Sequence, residues 1–264
     1  MNQNENKVLE LINVKKTIST KEICKALYIS ESTARRIMAR LSKKGAIVRF
    51  HGGGHNLEQA AEEFNITGRL ELNTRAKDGI AKAAAEMVTP GAVIIMMGGT
   101  TVYKMCKYLQ EMSITVITNS LIVFDALKNR GKIDIVLLGG HYNRSEMEVW
   151  GVLTNANLKM LRADMLFMGT SHFHPSVGFL TNDLESLEIY RNCMDAANTS
   201  YVLADSSKLG ERGTAVTATC KSIDGLITDD KLGNEYVRQF EAAGVSVVCA
   251  TPERGRLAQG IAET

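Results

Sequence analysis

The sequence predicts two domains of unlike build. One is a small helical head ending in a β segment; the other is a larger α/β body with an open, mostly parallel sheet. Three observations carry this. Within residues 1–55, apolar residues recur at helical spacing in short runs separated by cap and turn residues. From about residue 76 onward, apolar runs of strand length alternate with helical stretches. The charge is also split. Residues 1–55 hold 11 Lys and Arg against 4 Asp and Glu, a net of +7, whereas residues 56–264 hold 20 against 25, a net of −5. A basic head on an acidic body is the distribution expected when only the head meets a polyanion.

At 264 residues, with 45% hydrophobic and 23% charged, the chain suits one sizeable core and a small second domain. No apolar run approaches the roughly 20 residues that span a bilayer. The amino-terminal MNQNENK has no signal-peptide apolar region. A soluble cytoplasmic protein is expected. Cys24, Cys106, Cys193, Cys220 and Cys249 are odd in number and form no CxxC pair. They read as reduced thiols and not as zinc ligands. No cofactor and no metal site is expected.

In NKVLELINVKK, Val8, Leu11 and Ile12 define one face of a first helix. STKE reads as a capping box, Ser19 capping and Glu22 bonding back to its amide. Ile23, Ala26 and Leu27 continue an apolar face over Thr20–Leu27, a short second helix. YIS is a tight turn, and Ser30 caps a third helix running to about Lys43. There Ile37, Met38 and Leu41 face inward, and Ser32, Thr33, Arg35, Arg36, Ala39 and Arg40 face out. Gly45 stops the helix. AIVRFHGGG alternates, with Ile47 and Phe50 as apolar contacts, and reads as a strand with a glycine-rich tip.

Three helices, a short turn between the second and third, and a β segment describe a winged helix-turn-helix. Its third helix would enter the DNA major groove. Ser32, Thr33 and Arg35 have the chemistry to read base edges. Arg36, Arg40, Lys43, Lys44 and Arg49 are expected to neutralise phosphates. A dimer or tetramer would suit paired half-sites on the duplex.

ISESTARRIMARLSKKGAIVRFHGGG resembles the head of DeoR-type bacterial repressors. Their usual pattern is a Val-Ser-x-x-Thr-x-Arg-Arg-Asp-Leu helix, then a leucine, a Gly turn and an Arg-x-His-Gly-Gly wing. Ser30, Thr33, Arg35, Arg36, Leu41, Gly45, Arg49, His51, Gly52 and Gly53 match it. The resemblance adds His51 to the expected DNA contacts. The Asp-Leu pair is replaced by Ile37-Met38.

Residues 56–75 are polar and read as a partly helical linker, with the body spanning 76–264. Ile80, Ala83, Ala84 and Met87 give a helical stripe, and Pro90-Gly91 a turn. Strands follow at Ala92–Met97, Ile114–Ser120, Ile133–Gly140 and Ala163–Ser171, and in TSYVLADSSK, SIDGLITDD and VSVVCA, with helices in GGTTVYKMCKYLQEM, LIVFDALKN and LESLEIYRNCMDAA. Ligands of open α/β sheets bind outside the carboxyl ends of the strands. The loops there are Gly98-Gly99-Thr100-Thr101, Thr118-Asn119-Ser120, Gly139-Gly140, Gly169-Thr170-Ser171 and Asp205 to Lys208. Glycines before a helix admit an anion to backbone amides. Hydroxyls and a lysine complete a pocket for a small phosphorylated sugar or polyol.

GGTT, VITNSL, VLLGGHYN, LRADMLFMGTS, GFLT, LADSSKLG and IDGLITDD are similar, in order, to the DeoR-type effector domain. That domain is related to the ribose-5-phosphate isomerase, glucosamine-6-phosphate deaminase and CoA-transferase folds. The resemblance implies a repressor that senses a sugar phosphate, with Lys208 and the Gly98–Thr101 loop as phosphate contacts. It departs from the family at Met97, usually acidic, and at Tyr190-Arg191, usually Lys-Arg. Both departures are expected close to the pocket.

The alternative is a sugar-phosphate isomerase or deaminase with a fused DNA-binding head, with Asp205 or Glu188 as general base. A dinucleotide-binding reading fails, because no GxGxxG follows the first strand. His172 and His174 read as a pocket-bordering loop in preference to a metal site. For Trp150, core and interface remain open.

Overall fold

The computed structural model describes residues 3–44, 46–50, 52–56, 66–70 and 72–251. The chain divides into two compact units, Met1–Glu71 and Leu72–Thr264. That division falls a little ahead of the expected start at 76.

The first unit contains α1 (Gln3–Lys15), β1 (Thr17–Ser19), α2 (Thr20–Leu27), α3 (Glu31–Lys43), β2 (Val48–Phe50), β3 (Gly53–His55) and α4 (Ile66–Leu70). Val8 and Ile12 of α1, Ile23 of α2, and Ala34, Ile37, Met38 and Leu41 of α3 form one core with Ile18 and Ile47. Ala26 is exposed, contrary to expectation. The inner face of α2 runs through Thr20, Ile23, Cys24 and Leu27, the helical i, i+3, i+4, i+7 spacing that leaves position 26 outside.

The capping box forms. The Glu22 amide donates to Ser19 Oγ at 3.2 Å, and the Ser19 amide donates to Glu22 Oε2 at 2.9 Å. Hydrogen bonds from the Ser19 backbone and hydroxyl, then Lys15, hold the Glu22 carboxyl down at about 2. Ser30 caps α3, accepting from the Thr33 amide at 3.3 Å. Between them Tyr28 adopts φ 54, the left-handed conformation that ends α2 sharply. The wing is a hairpin of β2 and β3, and β1 joins it to give the antiparallel order β1-β3-β2. Strand β1 was not expected, since three residues are too few to show alternation. Gly45 and His51, and the side chains of Arg49 and Phe50, lie outside the described residues.

The second unit opens with α5 (Thr74–Ala85), β4 (Val93–Met96), α6 (Thr100–Leu109), β5 (Ile114–Thr118), α7 (Leu121–Leu127) and β6 (Ile133–Leu137). Then come β7 (His141–Asn143), β8 (Glu148–Trp150), α8 (Val152–Lys159), β9 (Ala163–Met168), β10 (His172–His174) and β11 (Gly178–Thr181). It ends with α9 (Leu187–Ala196), β12 (Ala197–Leu203), β13 (Ala215–Ala218), β14 (Gly225–Asp229), α10 (Asn234–Ala242) and β15 (Ser246–Ala250). Strands β15-β14-β12-β9-β4-β5-β6 form one sheet in that order, every pair parallel.

Alternation along β4 sorts the two faces. Ile94 and Met96 pack with Ile80, Ala84, Val102, Met105 and Val123 of α5, α6 and α7. Ile95 and Met97 pack on the other side with Leu158, Ile189, Cys193 and Phe240 of α8, α9 and α10. Trp150 belongs to this second core and is buried, which settles it as a core residue. Three features were not expected: the hairpin β7–β8, the antiparallel sheet β10-β11-β13, and the helices α8 and α10. The antiparallel strands are mostly three or four residues long and give little sequence periodicity.

Phe173 and Phe179 meet Phe240 of α10 with ring centroids 5.8 and 6.1 Å apart, fixing the antiparallel sheet to the body's core. Phe240→Ala should cost about 3–5 kcal/mol. Urea unfolding of the full chain would check this, and a loss below about 1 kcal/mol would contradict the packing.

Candidate DNA-binding face and effector crevice

On α3, Ser32, Arg35, Arg36 and Lys43 are exposed and Thr33 is partly so. The Arg35 guanidinium donates to Glu31 Oε1 at 2.6 Å, an i, i+4 pair on the helix surface. Arg40 and Lys44, expected at phosphates, are half-exposed and also engaged within the head. Arg40 Nε and Lys44 Nζ each lie 2.9 Å from a carboxylate oxygen of Glu5, which is buried on α1. A buried carboxylate requires such partners. These two cations therefore fasten α1 to α3, and Glu5 offsets part of their charge. Sequence reasoning passed over Tyr28, which is 94% exposed in the turn just before α3. Its signal was an aromatic residue inside the turn YIS.

In the body, parallel pairing brings the loops after β14, β12, β9, β4 and β5 out along one edge of the sheet. After β4, Gly99 is the N-cap of α6 at φ 118, a conformation that favours glycine. Thr100 and Thr101 are buried in the first turn. The neighbouring loop after β9 runs alongside: a Cβ on Gly99 would stand 3.9 Å from Gly169 Cα. After β5, Thr118 Oγ1 donates to the Met96 carbonyl at 2.7 Å and accepts from the Ser120 amide at 3.0 Å. Asn119 Nδ2 donates to Glu148 Oε2 at 3.1 Å and to the Val149 carbonyl at 3.2 Å.

Lys208 reaches this group. Its Nζ donates to the Thr170 carbonyl at 2.6 Å, and the Tyr190 hydroxyl donates to the Gly169 carbonyl at 3.4 Å. Thr170 itself is structural, its hydroxyl lying 2.7 and 2.9 Å from the carbonyls of His172 and Leu180. The Ser171 amide bonds to the Leu180 carbonyl at 3.0 Å.

After β12, Asp205 Oδ1 accepts from Asn73 Nδ2 at 2.9 Å and from the Ser207 hydroxyl. After β14, Asp229 accepts from the Ser206 amide and hydroxyl, each at 2.8 Å. Both aspartates are buried. A cavity of about 310 Å³ opens here, lined by Asn73, Asp205, Ser206, Asp229, Lys231 and Tyr236 among others. Asn73 and Asp229 were not singled out in the sequence, although Asp229 ends a strand-like run. Asn119 Oδ1, Ser120 Oγ and Asp205 Oδ2 are buried without a hydrogen-bond partner. Leaving such groups unpaired costs about 1–3 kcal/mol each. They suit the donors and acceptors of a polyol.

Several expected residues are placed elsewhere. Thr154 Oγ1 donates to the Gly139 carbonyl at 2.7 Å, and a Cβ on Gly140 would overlap Thr154 and the Trp150 carbonyl. Gly140 seats α8 closely, and the Gly139 carbonyl is held by Thr154. Met97 packs in the core, where its apolar side chain belongs. Arg191 lines a separate cavity of about 640 Å³ beside Ala197 and Ser200, at the start of β12. Glu188 is exposed on α9.

His174 Nδ1 lies 2.7 Å from Ser176 Oγ and 3.1 Å from Glu211 Oε1. The pKa of His172 is lowered by burial and by the positive charges of Lys208 and Arg212. Burial pushes the Cys106 thiol up to about 12. Burial and the Glu148 charge raise Cys193.

A basic helix-turn-helix with a wing, joined to an α/β unit with a polar crevice, is the build of a DNA-binding regulator that senses a small molecule. The chain belongs to the DeoR family. The DeoR-like helix-turn-helix domain matches residues 5–60, and the DeoR C terminal sensor domain matches residues 72–230. It is 30% identical to the HTH-type transcriptional regulator GolR of Listeria innocua, over 94% of this chain and 98% of that protein. It is 28% identical to the HTH-type transcriptional repressor GlcR of Bacillus subtilis, over 94% and 96%. It is 31% identical to the lactose phosphotransferase system repressor of Lactococcus lactis, over 89% and 93%. These relatives are named as transcriptional regulators, not enzymes. Among solved structures, ribose 5-phosphate isomerase A of Methanocaldococcus jannaschii matches 52% of this chain and 55% of its own, at 20% identity and a TM-score of 0.39. No helix among the described residues is long and apolar enough to cross a membrane.

The lowered His172 pKa has a stability consequence. Between the folded pKa and the ordinary 6.5, the unfolded chain binds more protons. Stability therefore rises with pH across that window, is complete above 6.5 and is lost as pH falls through it. His172→Gln should flatten that dependence in thermal unfolding followed from pH 5 to pH 8, taken as about the range over which histidine titrates. An unchanged profile would contradict it.

Proposed function

We propose that the chain is a cytoplasmic repressor of a carbohydrate-utilisation operon, and that a phosphorylated sugar or related polyol relieves its binding to operator DNA. The observation that carries the effector half is a convergence at the strand ends. The Lys208 ammonium lies on the Thr170 carbonyl, in the loop that runs beside the amino terminus of α6, and buried acceptors of Asn119 and Asp205 lie further along the same sheet edge, on either side. An ammonium and a helix amino terminus suit a phosphate, and the buried acceptors suit sugar hydroxyls. The names of the sugar-operon repressors among the relatives support the same reading.

For DNA, α3 enters the major groove. Ser32, Thr33 and Arg35 read bases, while Arg36, Lys43 and the wing contact phosphates, with Tyr28 at the turn against the backbone. Arg35 exchanges Glu31 for a base edge. A homodimer or homotetramer presents paired heads to two half-sites. Relief requires the effector to bind the state of low DNA affinity better, since only differential affinity shifts an equilibrium.

Operator binding followed by fluorescence anisotropy tests both halves. Arg35→Ala should cost about 1–3 kcal/mol and relax base preference. Lys43→Ala should weaken all sequences alike and lower the salt slope by about 1. Lys208→Ala should bind operator normally and no longer respond to inducing sugar phosphate. Unchanged operator affinity in Arg35→Ala, or normal relief in Lys208→Ala, would overturn the corresponding half.

A further inference from the structure

The Glu148 carboxylate lies directly against the backbone of Gly98, where a Cβ on that glycine would overlap it. Its second oxygen accepts from Asn119 Nδ2 at 3.1 Å. The backbone on either side is fixed. The Val149 amide donates to the Asn119 carbonyl and the Leu121 amide to the Met147 carbonyl, both at 2.8 Å. A change of position therefore falls on the Glu148 side chain and not on its hairpin.

Gly98 precedes Gly99, the N-cap of the ten-residue helix α6. A carboxylate thus already sits beside a helix amino terminus, where amides and the helix dipole favour negative charge. The neighbouring Asn119 is 2% exposed, spends one amide N–H on Glu148 and the other on the Val149 carbonyl, and keeps a buried Oδ1 without a partner. That residue is built to meet a ligand, and Glu148 holds one of its donors.

We propose that Glu148 is an internal competitor of the effector's phosphate: its carboxylate holds the Gly98 loop in the free protein, and the effector binds by displacing it. This rests on the reading that the loop takes a phosphate. Two anions do not share one such place without strong repulsion. Displacement also releases one N–H of Asn119 Nδ2 to donate to the ligand, the other staying on the Val149 carbonyl. The apparent affinity is reduced by the fraction of molecules with Glu148 in place, so this residue sets the effector concentration at which the repressor responds.

The test is calorimetric titration of the full chain with inorganic phosphate and with fructose 6-phosphate, for wild type, Glu148→Gln and Glu148→Ala. Thermal unfolding of each variant checks folding, and Glu148→Ala serves if the amide variant is unstable. The expected result is phosphate binding roughly ten- to a hundredfold tighter in both variants, the scale of removing one like charge from a partly shielded contact. Relief of operator binding should move to correspondingly lower effector concentration. Weaker binding in the variants would make Glu148 a ligand contact and overturn the proposal. Unchanged binding, with wild type binding fructose 6-phosphate, would overturn it and leave the sugar-phosphate reading standing. No binding of either compound by any of the three proteins would overturn both.

Discussion

The parallel pairing of β4 with β9 on one side and β5 on the other is the constraint on which the body's crevice depends. Ile95 stands opposite Leu166 and Ile117, so the three strands run the same way in a fixed register. Their loops must then emerge side by side. The Met97 amide on the Phe167 carbonyl at 3.0 Å carries the β4–β9 pairing past the strand end. Thr118 Oγ1 on the Met96 carbonyl does the same toward β5. The strand interiors are apolar on both faces, as a covered parallel sheet requires. The loops of Gly98, Asn119, Gly169, Asp205 and Asp229 thereby line one edge of the sheet.

The head rests on a different interaction of the same kind. Glu5 is buried and must be paired, and Arg40 and Lys44 meet that need. Removing either partner would leave a buried charge short of compensation. Part of the head's basic charge is therefore structural. Arg35, Arg36 and Lys43 on α3 remain exposed, and in the proposed function they are the cations that a polyanion would meet at long range.

The sequence was most legible where the signal was local. The boundaries of α2 and α3 follow from Ser19, Glu22 and Ser30, whose side chains bond to amides within three residues. The seven parallel strands follow from continuous apolar runs. What was not legible depends on contacts between residues far apart in the chain. Glu5 with Arg40 and Lys44 is one case, and Glu148 with Gly98 and Asn119 is another. Gly140 looked like a ligand-loop glycine, because nothing local reveals that Thr154 and Trp150 pack against it. Strand β8 is three residues long, so the hairpin that carries Glu148 into the crevice left no periodic trace.

The central claim is that a phosphorylated effector is held at the junction of α6 and Lys208. A structure of the full chain with a sugar phosphate bound tests it most directly. The expected result is a phosphate within about 3 Å of the Thr100 or Thr101 amide and of Lys208 Nζ, with the sugar hydroxyls toward Asn119 and Asp205. A phosphate seated instead in the cavity between Arg191 and Asp224, or on the head, would contradict the account.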